Sequence, residues 1–238
     1  MYQKTMFPIQ KELRKYASKN KAVGSMIFFK TGPGQYAEGD QFLGATVPEI
    51  RLVAKKYANL SLPEIKQLLL SSYNEERSLA LMILVEQYAR KTRDPKIIVD
   101  FFLENKARVN NWNLVDGSAY KILGDYCLQT NNKMPLKKLL KSKQHWDRRI
   151  AIVSTYAFIR KSEIEIVFHF AKKLLTDKED LMHKATGWML REAGKRNPAA
   201  LRKFIRNSGK KMPRTMLRYA IEKFPLVERK KILLETRA

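Results

Sequence analysis

Apolar residues recur every three or four positions along most of this 238-residue chain, the spacing that places them on one face of an α-helix. Because proline loses no hydrogen bond in the first helical turn, proline before an apolar run marks a helix start. Such starts are Val47-Pro48-Glu49, Leu62-Pro63-Glu64, Asp94-Pro95, Met134-Pro135, Asn197-Pro198 and Met212-Pro213. The alternating pattern of strands is nearly absent. The sequence therefore predicts an all-α protein.

The predicted helices form pairs from residue 62 onward. The pairs are 62–72 with 75–92, 94–105 with 109–129, 133–142 with 145–161, 163–176 with 179–196 and 198–208 with 213–224. Equivalent points in the second helices recur after 36, 36, 35 and 30 residues, at Arg77, Asn113, Arg149, Lys184 and Arg214. Helix-pair repeats of this length are typical of α-solenoids, in which one helix of each pair lines the concave side. We therefore predict a single domain over residues 1–238, a right-handed α-solenoid of HEAT-like antiparallel helix pairs with a concave basic groove.

Residues 1–61 precede the helix-pair repeats and fit the pattern less well. They predict helices at 3–18 and 21–30, followed by a loop at Thr31-Gly32-Pro33-Gly34-Gln35-Tyr36. A glycine-rich loop suggests a phosphate cradle, but no Gly-Lys-Ser/Thr follows it and no strand precedes it. We interpret the segment as a turn or a surface loop.

The charge of the chain points to a polyanionic partner. Its formal net charge is +24, and residues 120–238 hold 29 Lys and Arg against 11 Asp and Glu. A field of this sign draws phosphate backbones and releases their counterions on binding. An anionic membrane would also be drawn, but the basic positions are interleaved with core positions and form no free amphipathic tail. We expect a monomer that binds nucleic acid, without a membrane or an obligate protein partner.

Cysteine and histidine usage argues against a disulfide or a metal site. Cys127 is the only cysteine and stands among apolar residues, so we interpret it as a buried core thiol. His145, His169 and His183 form no metal-binding pair, and neither a metal nor another cofactor is expected. No apolar run approaches the ~20 residues that span a bilayer, so the expected location is cytoplasmic, with nucleoid association through DNA.

The segment Asn111-Trp112-Asn113-Leu114-Val115-Asp116 opens a predicted helix and places an indole and a carboxylate four residues apart. At that spacing both side chains project from one helix face. Beside a surface that attracts polyanions, this pair suggests chemistry on nucleic acid. The simpler interpretation is a buried tryptophan next to an acidic residue that favours the helix dipole.

Later second helices carry further candidates. If the repeats align, Arg149 and Trp188 join Trp112 and Asp116 on one side of the groove. Trp188 also fits a core position, because the glycine before it permits close helix packing. Arg148 is a rival for the place of Arg149, since adjacent residues cannot both face the core. The expected DNA-binding set along the groove is Arg77, Arg148, Lys184, Arg191, Arg214 and Arg218.

Four stretches of the chain carry a resemblance to a known family. They are FFKTGPGQYAEGDQFLGATVPEIR (28–51), WNLVDGSAYKILGDY (112–126), HWDRRIAIV (145–153) and KATGWMLREAGK (184–195). These stretches resemble the DNA alkylation repair glycosylases of the AlkD type, and the likeness spans nearly the whole chain in order. It implies a HEAT-like solenoid that excises cationic alkylpurines, such as 7-methylguanine and 3-methyladenine, from double-stranded DNA.

The same resemblance implies roles for single residues. It matches Asp116 with the catalytic carboxylate, Trp112 and Trp188 with the aromatic walls, and Arg149 with the arginine at the site. The family's aromatic residue near the N-terminus has no clean counterpart, and Phe28 or Phe29 takes its place.

A single carboxylate is unusual for glycoside hydrolysis, which ordinarily uses two. A cationic alkylpurine leaves as a neutral base without a general acid, so Asp116 alone can stabilise the sugar cation and place a water. No lysine is evident for a Schiff base, so strand cleavage is not expected. Two other functions stay open: a noncatalytic module that binds distorted or branched DNA, and a HEAT-type scaffold for protein interactions.

Overall fold

The computed structural model describes residues 7–237, and over this range the chain is all-α. Its only strand-like feature there is an isolated bridge between Gln41 and Tyr73. The chain divides after Ser118 into two compact units. We call residues 7–118 the first unit and residues 119–237 the second unit. None of the helices in residues 7–237 is both long and apolar enough to cross a bilayer.

The first unit is built around one long helix, α5. Its helices are α1 (Pro8–Arg14), α2 (Lys19–Phe29), α3 (Val47–Lys56), α4 (Leu62–Leu69), α5 (Asn74–Arg90), α6 (Pro95–Glu104) and α7 (Trp112–Ser118), with a 3-10 turn at Lys106–Arg108. Helix α5 packs against α3, α4 and α7. Helix α1 is tied to α5 because Gln10 and Arg14 both donate to the buried carboxylate of Glu76, at 2.8 and 3.1 Å.

The second unit is built around α13. A π-helical segment, Tyr120–Gly124, leads into α8 (Asp125–Gln129), α9 (Met134–Leu140), α10 (His145–Ser154), α11 (Tyr156–Arg160), α12 (Glu165–Lys173), α13 (Asp180–Arg196), α14 (Pro198–Ser208), a 3-10 turn (Gly209–Lys211), α15 (Arg214–Ala220) and α16 (Leu226–Glu235). Helix α13 packs against α10, α12, α14 and α15. Cys127 is fully buried, and burial raises the pKa of its thiol to about 12, which confirms the core interpretation.

The predicted helix starts are confirmed, and two of them carry a capping box. Thr46 and Ser61 each precede a Pro-Glu start, and the glutamates three residues on, Glu49 and Glu64, accept the hydroxyl and the backbone N–H of the cap. This reciprocal pairing satisfies donors that a helix start would otherwise leave open. The same hydrogen bonds lower the pKa of both glutamates.

Several boundaries differ from the predicted ones. The predicted helix 145–161 is interrupted at Thr155, whose hydroxyl donates to the carbonyl oxygen of Ile152 at 2.6 Å. The hydroxyl of Ser118 donates to Leu114 in the same way, at 2.6 Å, shortly before the π-helical segment. A hydroxyl bonded to the preceding turn bends a helix. The part of the predicted helix 3–18 before residue 7 lies outside the described residues.

Neighbouring second helices pack on each other inside each unit. In the first unit α5 contacts α7, and in the second unit α13 contacts α10 and α15. This packing agrees with stacked helix pairs. The right-handed solenoid and its basic groove stay predictions.

Candidate functional site

Trp112 opens α7 and is held in an aromatic cluster of the first unit. Its indole stacks on Phe29, with ring centroids 5.0 Å apart and planes 15° apart, and meets the edge of Phe28 at 5.8 Å. Its Nε1–H donates to the hydroxyl of Tyr36 at 3.2 Å. Phe29 stacks in turn on buried Phe42 at 4.9 Å. Trp112 is therefore half-buried and fixed in orientation, with one ring face stacked on Phe29 and its polar edge hydrogen-bonded to Tyr36.

Asp116 lies one helical turn after Trp112 on the partly exposed side of α7. Leu114 and Val115 are buried, whereas Trp112, Asn113 and Asp116 are half-buried. The predicted spacing is thus realised in a helix, with the indole and the carboxylate on the same stripe.

The loop between α2 and α3 folds back against α5 because its backbone is bound by a buried acid. Glu75 accepts the N–H groups of Leu43 and Gly44, at 3.0 and 2.8 Å. Burial raises the pKa of the Glu75 carboxyl, and these backbone hydrogen bonds oppose the rise. Gly44 has a φ of 82°, and a Cβ there would lie 2.2 Å from the carbonyl oxygen of Ser18. Only glycine fits this contact.

Arg77 occupies an internal position rather than a DNA-facing one. Its side chain is 1% exposed, and its Nη2 donates to Asp40 at 2.6 Å. Its Nη1 donates to the carbonyl oxygens of Ser71 and Ser72, at 3.1 and 3.3 Å. The repeat spacing predicted a DNA contact here, but a guanidinium enclosed in this way offers no surface to a phosphate. Arg77 is therefore a structural residue.

Trp188 lies on α13 in the second unit and is half-buried. Its ring is tilted against that of Tyr156, with centroids 6.1 Å apart, and Tyr156 meets the edge of Tyr120 at 5.1 Å. Burial raises the pKa of the Tyr120 hydroxyl. A Cβ on Gly187 would lie 2.5 Å from the carbonyl oxygen of Met216, so the glycine does permit the close approach of α15.

The two neighbouring arginines of α10 are both engaged inside the second unit. Arg148 forms a bidentate pair with Asp177, at 2.6 and 3.0 Å, and also donates to the carbonyl oxygens of Ser142 and Lys143. Arg149 is 5% exposed and donates to the carbonyl oxygen of Leu181 at 2.6 Å. Both side chains therefore join α10 to the start of α13 or to the segment before it.

The remaining members of the predicted DNA-binding set differ in how far they are engaged. Lys184 pairs with Asp180 at 2.6 Å, and Arg191 pairs with Glu222. Arg214 donates to the carbonyl oxygen of Leu233 at 3.0 Å. Arg218 is exposed and forms no ion pair within residues 7–237. Of this set, Arg218 presents the most available positive charge.

A family model described as "DNA alkylation repair enzyme" matches residues 9–224. The chain belongs to the DNA alkylation repair enzyme family. A solved structure described as a predicted DNA alkylation repair enzyme from Enterococcus faecalis has a TM-score of 0.69 and 17% sequence identity, and it covers 88% of this chain and 97% of that one. At this identity the likeness shows the shared fold alone. No curated protein matches the chain.

Three residues of this DNA alkylation repair family member that contact the candidate site were not identified from its sequence. They are Tyr36, Asp40 and Asn111. Trp112 donates to Tyr36, 76 residues away, and Asn111 donates to Asp40, 71 residues away. Asn111 also accepts the backbone N–H of its neighbour Trp112. No local spacing marks the two long-range contacts, Asn111 to Asp40 and Trp112 to Tyr36. The stretch 28–51, which carries the family resemblance, contains two of the three and is the only signal that pointed to them.

Proposed function

We propose that this protein is a monofunctional DNA glycosylase that hydrolyses the N-glycosidic bond of cationic alkylpurines in double-stranded DNA. 7-Methylguanine and 3-methyladenine are the expected lesions. The observation that carries the proposal is the half-buried stripe of Trp112 and Asp116 on α7, in a member of a DNA alkylation repair family with a net charge of +24. The charge supplies attraction to the DNA backbone, and the stripe supplies a carboxylate beside an aromatic ring.

Asp116 is the proposed catalytic carboxylate. When the bond from C1′ to the purine nitrogen breaks, its electron pair cancels the positive charge of the alkylated base, which leaves neutral. The positive charge that grows on the sugar is then stabilised by Asp116. The oxygen of a water molecule bonds to C1′, and its proton passes to the same carboxylate. No second acid is needed, because the substrate supplies the charge that protonation would otherwise create.

Trp112 and Trp188 are the proposed aromatic contacts for the cationic lesion and sugar. An indole face attracts a cation by about 0.5–2 kcal/mol, with larger values where water is excluded. Trp112 is pre-oriented by Phe29 and Tyr36, so little side-chain entropy is lost when it binds.

Arg149 has a revised proposed role. Its 5% exposure does not suit a direct contact with DNA, whereas its hydrogen bond to Leu181 anchors the start of α13. We propose that it positions the helix that carries Trp188. Backbone contacts to DNA are assigned to exposed basic residues such as Arg218.

The proposal is tested by incubating the protein with a duplex that contains one 7-methylguanine and analysing the released base. We expect release of free 7-methylguanine and an intact strand until alkali cleaves the abasic site, since no Schiff base forms. A matched duplex with uracil, a neutral base, should release nothing. Tight DNA binding without release would instead favour a noncatalytic DNA-binding module, and negligible binding at moderate salt would favour a protein scaffold.

A further inference from the structure

A buried carboxylate of the first unit gathers three donors around it. Asp40 is 8% exposed and accepts Nη2 of Arg77 at 2.6 Å, Nδ2 of Asn111 at 3.0 Å and Nδ2 of Asn74 at 3.1 Å. A carboxylate has acceptors only, so both asparagine amides must turn their nitrogen atoms toward it. Their oxygen atoms then point away from Asp40.

Both asparagine oxygens meet the first residues of α7. Oδ1 of Asn111 accepts the backbone N–H of Trp112 at 2.8 Å. Oδ1 of Asn74 accepts Nδ2 of Asn113 at 2.7 Å. Asn111 is fully buried and Asn74 is 2% exposed, so water cannot replace these bonds at low cost. Asp40 thus fixes, through two amides, where α7 begins.

The other end of Trp112 is held by a different loop residue. The hydroxyl of Tyr36 accepts Nε1–H of Trp112 at 3.2 Å and itself donates to the carbonyl oxygen of Phe28 at 3.5 Å. The backbone of Trp112 is therefore set from the Asp40 side and its indole from the Tyr36 side. Both residues lie in the segment between α2 and α3.

We propose that Asp40, Asn111 and Tyr36 are positioning residues for Trp112 and Asp116, an inference that rests on the proposed glycosylase function. In this role they act through Trp112 and Asp116 rather than by direct contact with the lesion. They hold the first turn of α7 so that the indole and the carboxylate keep one fixed relation during base release. A displacement of about 1 Å at a reacting group is enough to slow a reaction strongly, which gives such residues a kinetic role.

The decisive variant is Tyr36→Phe, because it removes one hydroxyl and keeps the ring. The protein is labelled with 5-fluorotryptophan, whose three fluorine resonances report Trp112, Trp146 and Trp188. The Trp112 resonance is identified by its loss in Trp112→Phe. In Tyr36→Phe we expect that resonance alone to move, together with an about fivefold slower single-turnover release of 7-methylguanine. Affinity for undamaged duplex should stay within about twofold, because no phosphate contact is altered.

Asn111→Ala and its neighbour Asn110→Ala form a matched pair. Asn111→Ala should move the Trp112 resonance and slow release, whereas Asn110→Ala removes an amide whose Oδ1 has no partner within residues 7–237 and should do neither. If the Trp112 resonance does not move in Tyr36→Phe, the positioning role is overturned, whether or not base release is slower. If the resonance moves but the wild type releases no base, the proposed function fails while the fixed orientation of Trp112 stands.

Discussion

Trp112 and Trp188 are the two tryptophans of the candidate site, one in each unit, and they are held in different ways. In the first unit, Trp112 has a stacked partner 5.0 Å away, an edge partner and a hydrogen bond from its indole nitrogen. In the second unit, the recorded ring partner of Trp188 is Tyr156, tilted and 6.1 Å away. Two tryptophans with the same proposed role are therefore not equally constrained by their neighbours. In the first unit, the buried polar side chains of Asp40 and Asn111 help to fix the position of Trp112.

The arginines of the two units make a related point about charge. The second half of the chain holds most of the excess positive charge, yet Arg148, Arg149 and Arg191 are engaged with carboxylates or carbonyl oxygens of their own unit. Only part of a high net charge is thus available to a polyanion. Exposed residues such as Arg218, rather than the enclosed Arg77 and Arg149, carry the available share.

The largest expected effect contrasts the buried ion pairs of the two units. Asp40→Asn leaves Arg77 buried without a carboxylate and sets an NH2 group against one of the donors that Asp40 accepts, so the free energy of unfolding should fall by about 3 kcal/mol. Asp177→Asn should cost less, because the side chain of its partner Arg148 is 17% exposed. Chemical denaturation measures both, with Asp100→Asn as an exposed control expected to change the value by less than about 1 kcal/mol. An equal or larger loss in Asp177→Asn would contradict the contrast.

The second prediction concerns how much each of the two tryptophans contributes to the rate of base release. Trp112→Ala should slow single-turnover release of 7-methylguanine about 30-fold, and Trp188→Ala about fivefold, which correspond to the upper and lower range of a cation–aromatic contact. Single-turnover rates on one lesion duplex give the ratio directly. Trp146→Ala is the control for removal of an indole that has no proposed role at the lesion. If Trp188→Ala slowed release more than Trp112→Ala, the more firmly held tryptophan would not be the more important one for catalysis.

The third prediction compares an exposed charge of the second unit with an exposed charge of the first unit. Arg218→Ala should weaken binding to undamaged duplex and lower the slope of log affinity against log salt by about one, because one phosphate contact is lost. Lys66→Ala, which removes an exposed charge from α4 in the first unit, should leave the slope unchanged. Fluorescence anisotropy across a salt series measures both slopes. Equal changes in the two variants would mean that the whole positive surface acts without distinction.

The smallest expected effect is a pH dependence of the second unit. The Arg202 guanidinium, which binds both oxygens of Glu228 at 2.7 and 2.9 Å, lowers the pKa of that carboxyl from its ordinary 4.5. The pair therefore adds stability above pH 4.5, and this contribution is lost as the pH falls through the lowered pKa. Thermal unfolding of the wild type and of Glu228→Gln should differ slightly near neutrality and converge in acid. A difference that grows on acidification would contradict the sign.

Most helices could be predicted from short sequence patterns. The helix and the interruption that were not predicted depend on features that such patterns do not contain. Proline and a capping glutamate define the starts at Val47 and Leu62 by interactions within four residues. Helix α16 was not predicted, because none of its residues is buried and its apolar pattern has no core face to follow. The interruption at Thr155 depends on a rotamer choice of one hydroxyl, which composition does not report.

The candidate site shows the same division. The four-residue spacing of Trp112 and Asp116 is a local property, and the structure places both on one half-buried stripe. The burial of Arg77 depends on Asp40, 37 residues away, and a periodic pattern cannot distinguish an arginine that faces solvent from one that meets such a partner. The roles of the site residues stay proposals.

Base release by Asp116→Asn tests the central claim most directly. The substitution keeps the size of the side chain and removes the negative charge that the proposed mechanism places beside the sugar cation. On a 7-methylguanine duplex at saturating protein, we expect release to fall at least about 100-fold with duplex affinity unchanged or higher. A release rate of Asp116→Asn within about threefold of the wild-type rate would contradict the account. So small a change in rate is less than the loss of a charge interaction in the transition state should cause.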